Sequence, residues 1–169
     1  QPVLRADGSG VVAWRQGDLS NEGPPATAHI AARVRDVNGS LSSIEVVSSP
    51  GEDSFNTSLE GRKMNILVDE NDRVGVAWSA FDGNSYRVNA AFMDTQGDWS
   101  APQVISAEGQ RAKMPSLTVG GHRWAVSWQR SDGYRSRVQA SVLSPDGTWS
   151  VPESLSPAGR MGIWSELSA

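Results

Sequence analysis

Apolar side chains alternate with small or polar ones along much of this chain. Val74, Val76 and Trp78 alternate with Gly75, Ala77 and Ser79, and Trp124, Val126 and Trp128 with Ala125, Ser127 and Gln129. The same rhythm runs through Val88, Ala90 and Phe92 against Arg87, Asn89 and Ala91, and through Val138, Ala140 and Val142 against Arg137, Gln139 and Ser141. A period of two places alternate residues on one face of a strand, so this pattern predicts β-structure. Large apolar residues on one face with small ones on the other predict sheets covered on both sides. Strands are expected over 64–68, 73–79, 86–93 and 99–106. The turns between them carry Asp69-Glu70-Asn71-Asp72, Asp82-Gly83-Asn84 and Thr95-Gln96-Gly97, residues suited to tight reversals. Glycine (17) and proline (9) recur too often to leave a window for a long helix.

The alternating segments are copies of one another. From Trp78 and Trp128 onward, Asp82-Gly83 matches Asp132-Gly133, Arg87-Val88 matches Arg137-Val138, and Trp99-Ser100 matches Trp149-Ser150, without a gap. An earlier copy begins at Trp14 and carries a longer first loop, 17–28, with Pro24-Pro25. Beyond that loop Ile30, Ala32, Val34, Leu41-Ser42 and Val47-Ser48 answer Val88, Ala90, Phe92, Trp99-Ser100 and Ile105-Ser106. A second insertion falls within 49–62. The repeats span approximately 3–48, 64–106 and 115–156, and 157–169 opens a further copy, with 161–167 aligning to an opening strand.

A unit of about fifty residues that folds as four short strands is the signature of a propeller blade. The expected fold is therefore an all-β, single β-propeller-like domain over 1–169, a partial ring of about three four-stranded blades. Rings of this kind close with four to eight blades. Oligomerisation, additional blades from missing sequence, or a partner protein is expected to complete this one. Trp14, Trp78 and Trp128, at one position in the three copies, are expected in the core.

The chain carries 15 Lys+Arg and 19 Asp+Glu, a formal charge of −4, with the basic residues scattered, which argues against nucleic acid as a partner. No apolar run approaches the length of a membrane span. With no cysteine there is neither a disulfide nor a thiolate metal site. His29 and His122 have no metal-ligand spacing, and the acids of 69–72 lack the spacing of a calcium loop and read as a solvated turn. No nucleophile elbow or phosphate-binding loop occurs. No cofactor, metal or catalytic residue is assigned. The two lysines, Lys63 and Lys113, against many arginines suggest a bacterial source.

These repeats resemble those of sialidase-type bacterial propellers, with an apolar-Trp strand, an Asp-Gly turn and a closing Gly-x-Trp-Ser-x-Pro strand. Ser144-Pro145-Asp146-Gly147-Thr148-Trp149 is one residue short of that superfamily's Asp-box, and Asp94-Thr95-Gln96-Gly97-Asp98-Trp99 keeps its acid, glycine and tryptophan. The sialidase Phe/Tyr-Arg-Ile-Pro signature is missing, so the resemblance implies the fold and carries no catalytic residue. A fainter likeness to fucose-binding propeller lectins implies a ligand site from an Arg in one strand and a Trp in the next: Arg87 with Trp99, and Arg137 with Trp149.

The resulting expectation is a non-enzymatic, extracytoplasmic (periplasmic or secreted) binding or scaffold module for protein or carbohydrate. A fragment of a sialidase-like glycoside hydrolase and an oligomeric sugar-binding lectin are the alternatives.

Overall fold

A computed structural model describes residues 2–17, 28–55, 65–121, 123–131 and 133–157. The Pro24-Pro25 loop, the sequence around Asn56, His122, Asp132 and the opening of a further copy at 161–167 lie outside the described residues. What is described is all-β, in three antiparallel sheets. The first contains β1 (Pro2–Leu4), β2 (Gly10–Gln16), β3 (His29–Arg35) and β4 (Glu45–Val46), in chain order. The second contains β5 (Asp53–Phe55), β6 (Asn65–Val68), β7 (Val74–Phe81), β8 (Tyr86–Met93) and β9 (Gln103–Val104). The third contains β10 (Arg111–Gly120), β11 (Arg123–Ser131), β12 (Ser136–Val142) and β13 (Glu153–Ser154).

The second sheet differs from the expected four strands because β5 and β6 share one edge of β7, pairing with 79–81 and 74–77 respectively. In the third sheet the continuous β10 takes both places, pairing with 129–131 and then 123–127. Its two halves are joined by a bulge at Met114-Pro115, where Met114 takes φ 55°. Proline cannot donate to the ladder and is tolerated in a strand at such a bulge. The break between the β5 and β6 pairings along β7 thus falls at the point where the uninterrupted copy already bends.

The sheets stack face to face. Val11, Ala13, Ile30, Ala32 and Val47 of the first sheet join Ile66, Val74, Val76, Trp78, Ala80 and Met93 of the second in one buried cluster. The opposite face of the second sheet, with Ala77, Val88, Ala90 and Ile105, joins Leu117, Trp124, Val126 and Trp128 of the third. The central strand β7 is consequently buried along both faces up to its last residue. That is what alternating large and small residues, both apolar, achieve.

Trp14 departs from expectation. Trp78 and Trp128 are fully buried, whereas Trp14 is half-buried. Its side of β2 is the outer side of the first sheet, where no preceding sheet covers it among the described residues.

Serines account for the shortness of the outermost strands. In each sheet two serine hydroxyls accept backbone N–H groups of the third long strand: Ser42 from Val34 and Ser48 from Ile30, Ser100 from Phe92 and Ser106 from Val88, Ser150 from Val142 and Ser156 from Val138. The hydroxyl stands in for a ladder carbonyl, so the outer segment needs only two paired residues. Ser106 is buried, and its Oγ lies 2.9 Å from Val88 N. Ser106→Ala would strand that buried N–H, at a cost of about 1–3 kcal/mol. Urea unfolding of the variant should show a lower midpoint with an unchanged slope.

Candidate functional site

The turns set the outer rim. Asp94 Oδ1 accepts the backbone N–H groups of Gln96, Gly97 and Asp98, and Gly97 takes φ 102°, which its lack of a Cβ permits. Asp36 organises the matching turn of the first sheet through Asn38 and Ser40. In the third sheet Ser144 occupies the leading position and the acid has moved to Asp146, which accepts from Thr148. These turns present Trp99 and Trp149, which bridge to Met93 and Leu143 at the ends of β8 and β12.

The arginines lie elsewhere. Arg87 and Met93 stand six residues apart on extended β8, roughly 20 Å, so Arg87 and Trp99 occupy opposite ends of one sheet. Arg137 and Trp149 are separated in the same way along β12. The guanidinium of Arg87 donates to the Ser106 carbonyl and hydroxyl and pairs with Asp82 at 3.5 Å. It therefore ties the outer strand of the second sheet to β8.

Trp99 and Trp149 differ from each other. Trp149 donates its indole N–H to Gln103 Oε1 at 2.8 Å and stacks on Phe92 at a centroid distance of 6.3 Å. The positions corresponding to Gln103 and Phe92 one sheet earlier are Glu45 and Val34. An acid and an aliphatic chain thus stand beside Trp99 at the positions where Trp149 meets an amide and a ring. A groove opens there between the outer strands of the first and second sheets, lined by Glu45, Ser48, Pro50, Asp98, Trp99 and Pro102. An indole flanked by two carboxylates and a hydroxyl suits a ligand with an apolar face and a rim of hydroxyls.

Two further constellations carry no signal that periodicity reveals. Trp128 donates to Gln139 Oε1 at 3.2 Å. The matching pair in the second sheet is Trp78 and Asn89, one methylene shorter, and both the Trp78 indole nitrogen and Asn89 Oδ1 are buried without a hydrogen bond of normal geometry. Burial raises the pKa of nearby Glu52, an effect opposed by hydrogen bonds from Ser49 and, more weakly, by the Trp78 indole. The folded protein therefore holds the Glu52 proton more tightly than the unfolded chain. That contribution is fully present below the ordinary carboxylate range and is lost as pH rises through the raised folded value. Glu52→Gln should stabilise the protein at pH 7 and leave it unchanged near pH 3, as thermal melts at the two pH values would record.

At the opposite end from the groove, Lys113 Nζ sits 3.7 Å from the ring centroid of Tyr86, which also contacts Phe81. Burial, and then the neighbouring Arg111, hold the Lys113 ammonium below the usual amine range. Lys113 precedes the β10 bulge, and Pro115 inside an alternating run is the one sequence feature that marks the place.

The acids of 69–72 serve the fold. Asp69 is buried, accepts from Asn71 and Arg73 N–H groups, and pairs with the Arg73 guanidinium at 2.9 Å. Asp72 Oδ1 accepts from Ala6 N, which ties the second sheet to the first. Among the described residues no group of three His, Cys, Asp or Glu side chains is placed to hold a metal ion, and no helix is long and apolar enough to cross a membrane. No protein-family model matches the chain, and no curated protein is significantly similar to it.

Proposed function

We propose that this chain is a non-enzymatic binding or scaffold module of β-propeller type. It recognises protein or carbohydrate through the groove beside Trp99. The observation that carries this reading is the groove itself: a half-buried indole, Glu45 and Asp98 between two stacked sheets, at the place where the next interface fills the equivalent space with Phe92 and Gln103. The propeller reading is supported by three sheets of one repeat stacked in series. Action outside the cytoplasm is supported by the resemblance to bacterial sialidase-type repeats.

A glycan array probed with the chain and with Trp99→Ala tests the proposal, alongside an assay for release of free sugar from a sialoside. The reading predicts saturable binding that weakens at least about tenfold in the variant, the scale of one buried aromatic contact, with no sugar released. Turnover of the sialoside, or binding indifferent to Trp99, would overturn it.

A further inference from the structure

The two outer faces of the stack are the two halves of an interface that the molecule already makes twice. Repeat positions identify each half. On the outer face of the first sheet stand Leu4, Val12, Trp14 and Leu41, with Leu4 70% and Leu41 55% exposed. Their counterparts one sheet on are Val68, Val76, Trp78 and Trp99, all packed against the first sheet. Two sheets on they are Val119, Val126, Trp128 and Trp149, all packed against the second.

The outer face of the third sheet is the other half. It presents Val138, Ala140, Val142 and Leu155. Their counterparts Val88, Ala90, Phe92 and Ile105 lie against the third sheet, and Ile30, Ala32, Val34 and Val47 against the second. Leu155 is 58% exposed, while Ile105 is 5% and Val47 3% exposed. At these repeat positions exposure is confined to the end sheets. Val46 and Val104, at one position on the outermost strands, are both exposed although only one belongs to an end sheet, so they are excluded from the argument.

We propose that a second copy of this chain docks its first sheet on the third sheet of its partner, repeating the internal sheet-to-sheet contact between molecules. The contact is heterologous, because the two surfaces differ, and such contacts either close a ring or extend without limit. Stacked sheets of this type close into rings of four to eight. The described residues of one copy supply three sheets, too few, and those of three copies would exceed the range, whereas those of two copies supply six. The inference is therefore a closed dimer with two equivalent contacts. It rests on the stacking of the sheets and not on any ligand in the groove.

The test is light scattering coupled to size exclusion on the chain, loaded from about 1 to 100 μM, the range in which contacts of moderate strength assemble. The expected mass at the upper end is twice 18.1 kDa. Val12→Lys and Leu155→Glu each place a charge on one face at an exposed site, so the fold should persist by circular dichroism while the dimer is lost. Mixing these two variants leaves one face intact on each molecule, and a species of twice the chain mass should return. A monomer at 100 μM, a mass climbing past two copies, or dimerisation untouched by both charges would overturn the proposal. A monomer that still binds glycan would overturn the docking and leave the binding function standing.

Discussion

Trp128→Ala is expected to lower the unfolding free energy by about 3–5 kcal/mol, the cost of emptying a fully buried aromatic site, while Trp14→Ala, measured in dilute solution, should cost about 1 kcal/mol or less. The two residues share a repeat position and differ chiefly in what lies opposite their sheets. Trp128 is enclosed by the second sheet and held by Gln139. Trp14 pairs across its ladder with Ala31 in place of a glutamine and has no sheet in front of it among the described residues. Parallel urea titrations of the two variants would read the difference directly. Equal losses would mean that intersheet burial is not what stabilises the stack.

Gly75→Ala should destabilise the protein by about 1–3 kcal/mol although it adds a single methyl group. A Cβ built on Gly75 would stand 2.6 Å from Trp124 Cζ3, closer than carbon atoms approach, and 3.1 Å from Phe92 Cε1, tighter than ordinary contact. The ring cannot swing aside, because Trp124 is fully buried and meets Phe92 edge-on at 5.2 Å. The corresponding positions in the first interface are Val11 and Val74, both in its buried cluster. One interface shares the volume between two valines, and the other gives it to one tryptophan against a glycine. Trp124→Leu in the Gly75→Ala background should therefore recover part of the loss, and a double-mutant cycle would report a favourable coupling between the two changes.

Much of this architecture follows from the residues alone. The period of two in Val74 to Trp78 and in Val88 to Phe92 places β7 and β8, and the small residues between them foretell a second packed face. Other features depend on neighbours a single strand cannot report. Trp14 shares with Trp78 its repeat position and the alternating apolar residues before it, and its place at the end of the stack exposes it. β5 hides in Asp53–Phe55, three residues beside an insertion, and is a strand only because the end of β7 offers an edge. The outer strand expected over 99–106 pairs at two residues because Ser100 and Ser106 supply hydroxyls in place of carbonyls.

The candidate site was legible in its tryptophans and not in their partners. A Trp in the closing strand is visible, as is an Arg in the strand before it. Their separation along β8 follows from the register of the outer strand, in which Gln103 pairs with Ala90. Glu45 enters the groove through the matching register one sheet earlier, where it pairs with Ala32, a relation that sequence spacing alone does not express.

Nuclear Overhauser contacts between indole protons and the adjoining sheet probe the stack most directly. With layered sheets, the Trp124 ring should give strong cross-peaks to the α-protons of Gly75 and to the Phe92 ring, with those α-protons shifted by the indole current. Silence between Trp124 and residue 75, together with a Trp124 side chain open to a soluble paramagnetic probe, would contradict the account at its root.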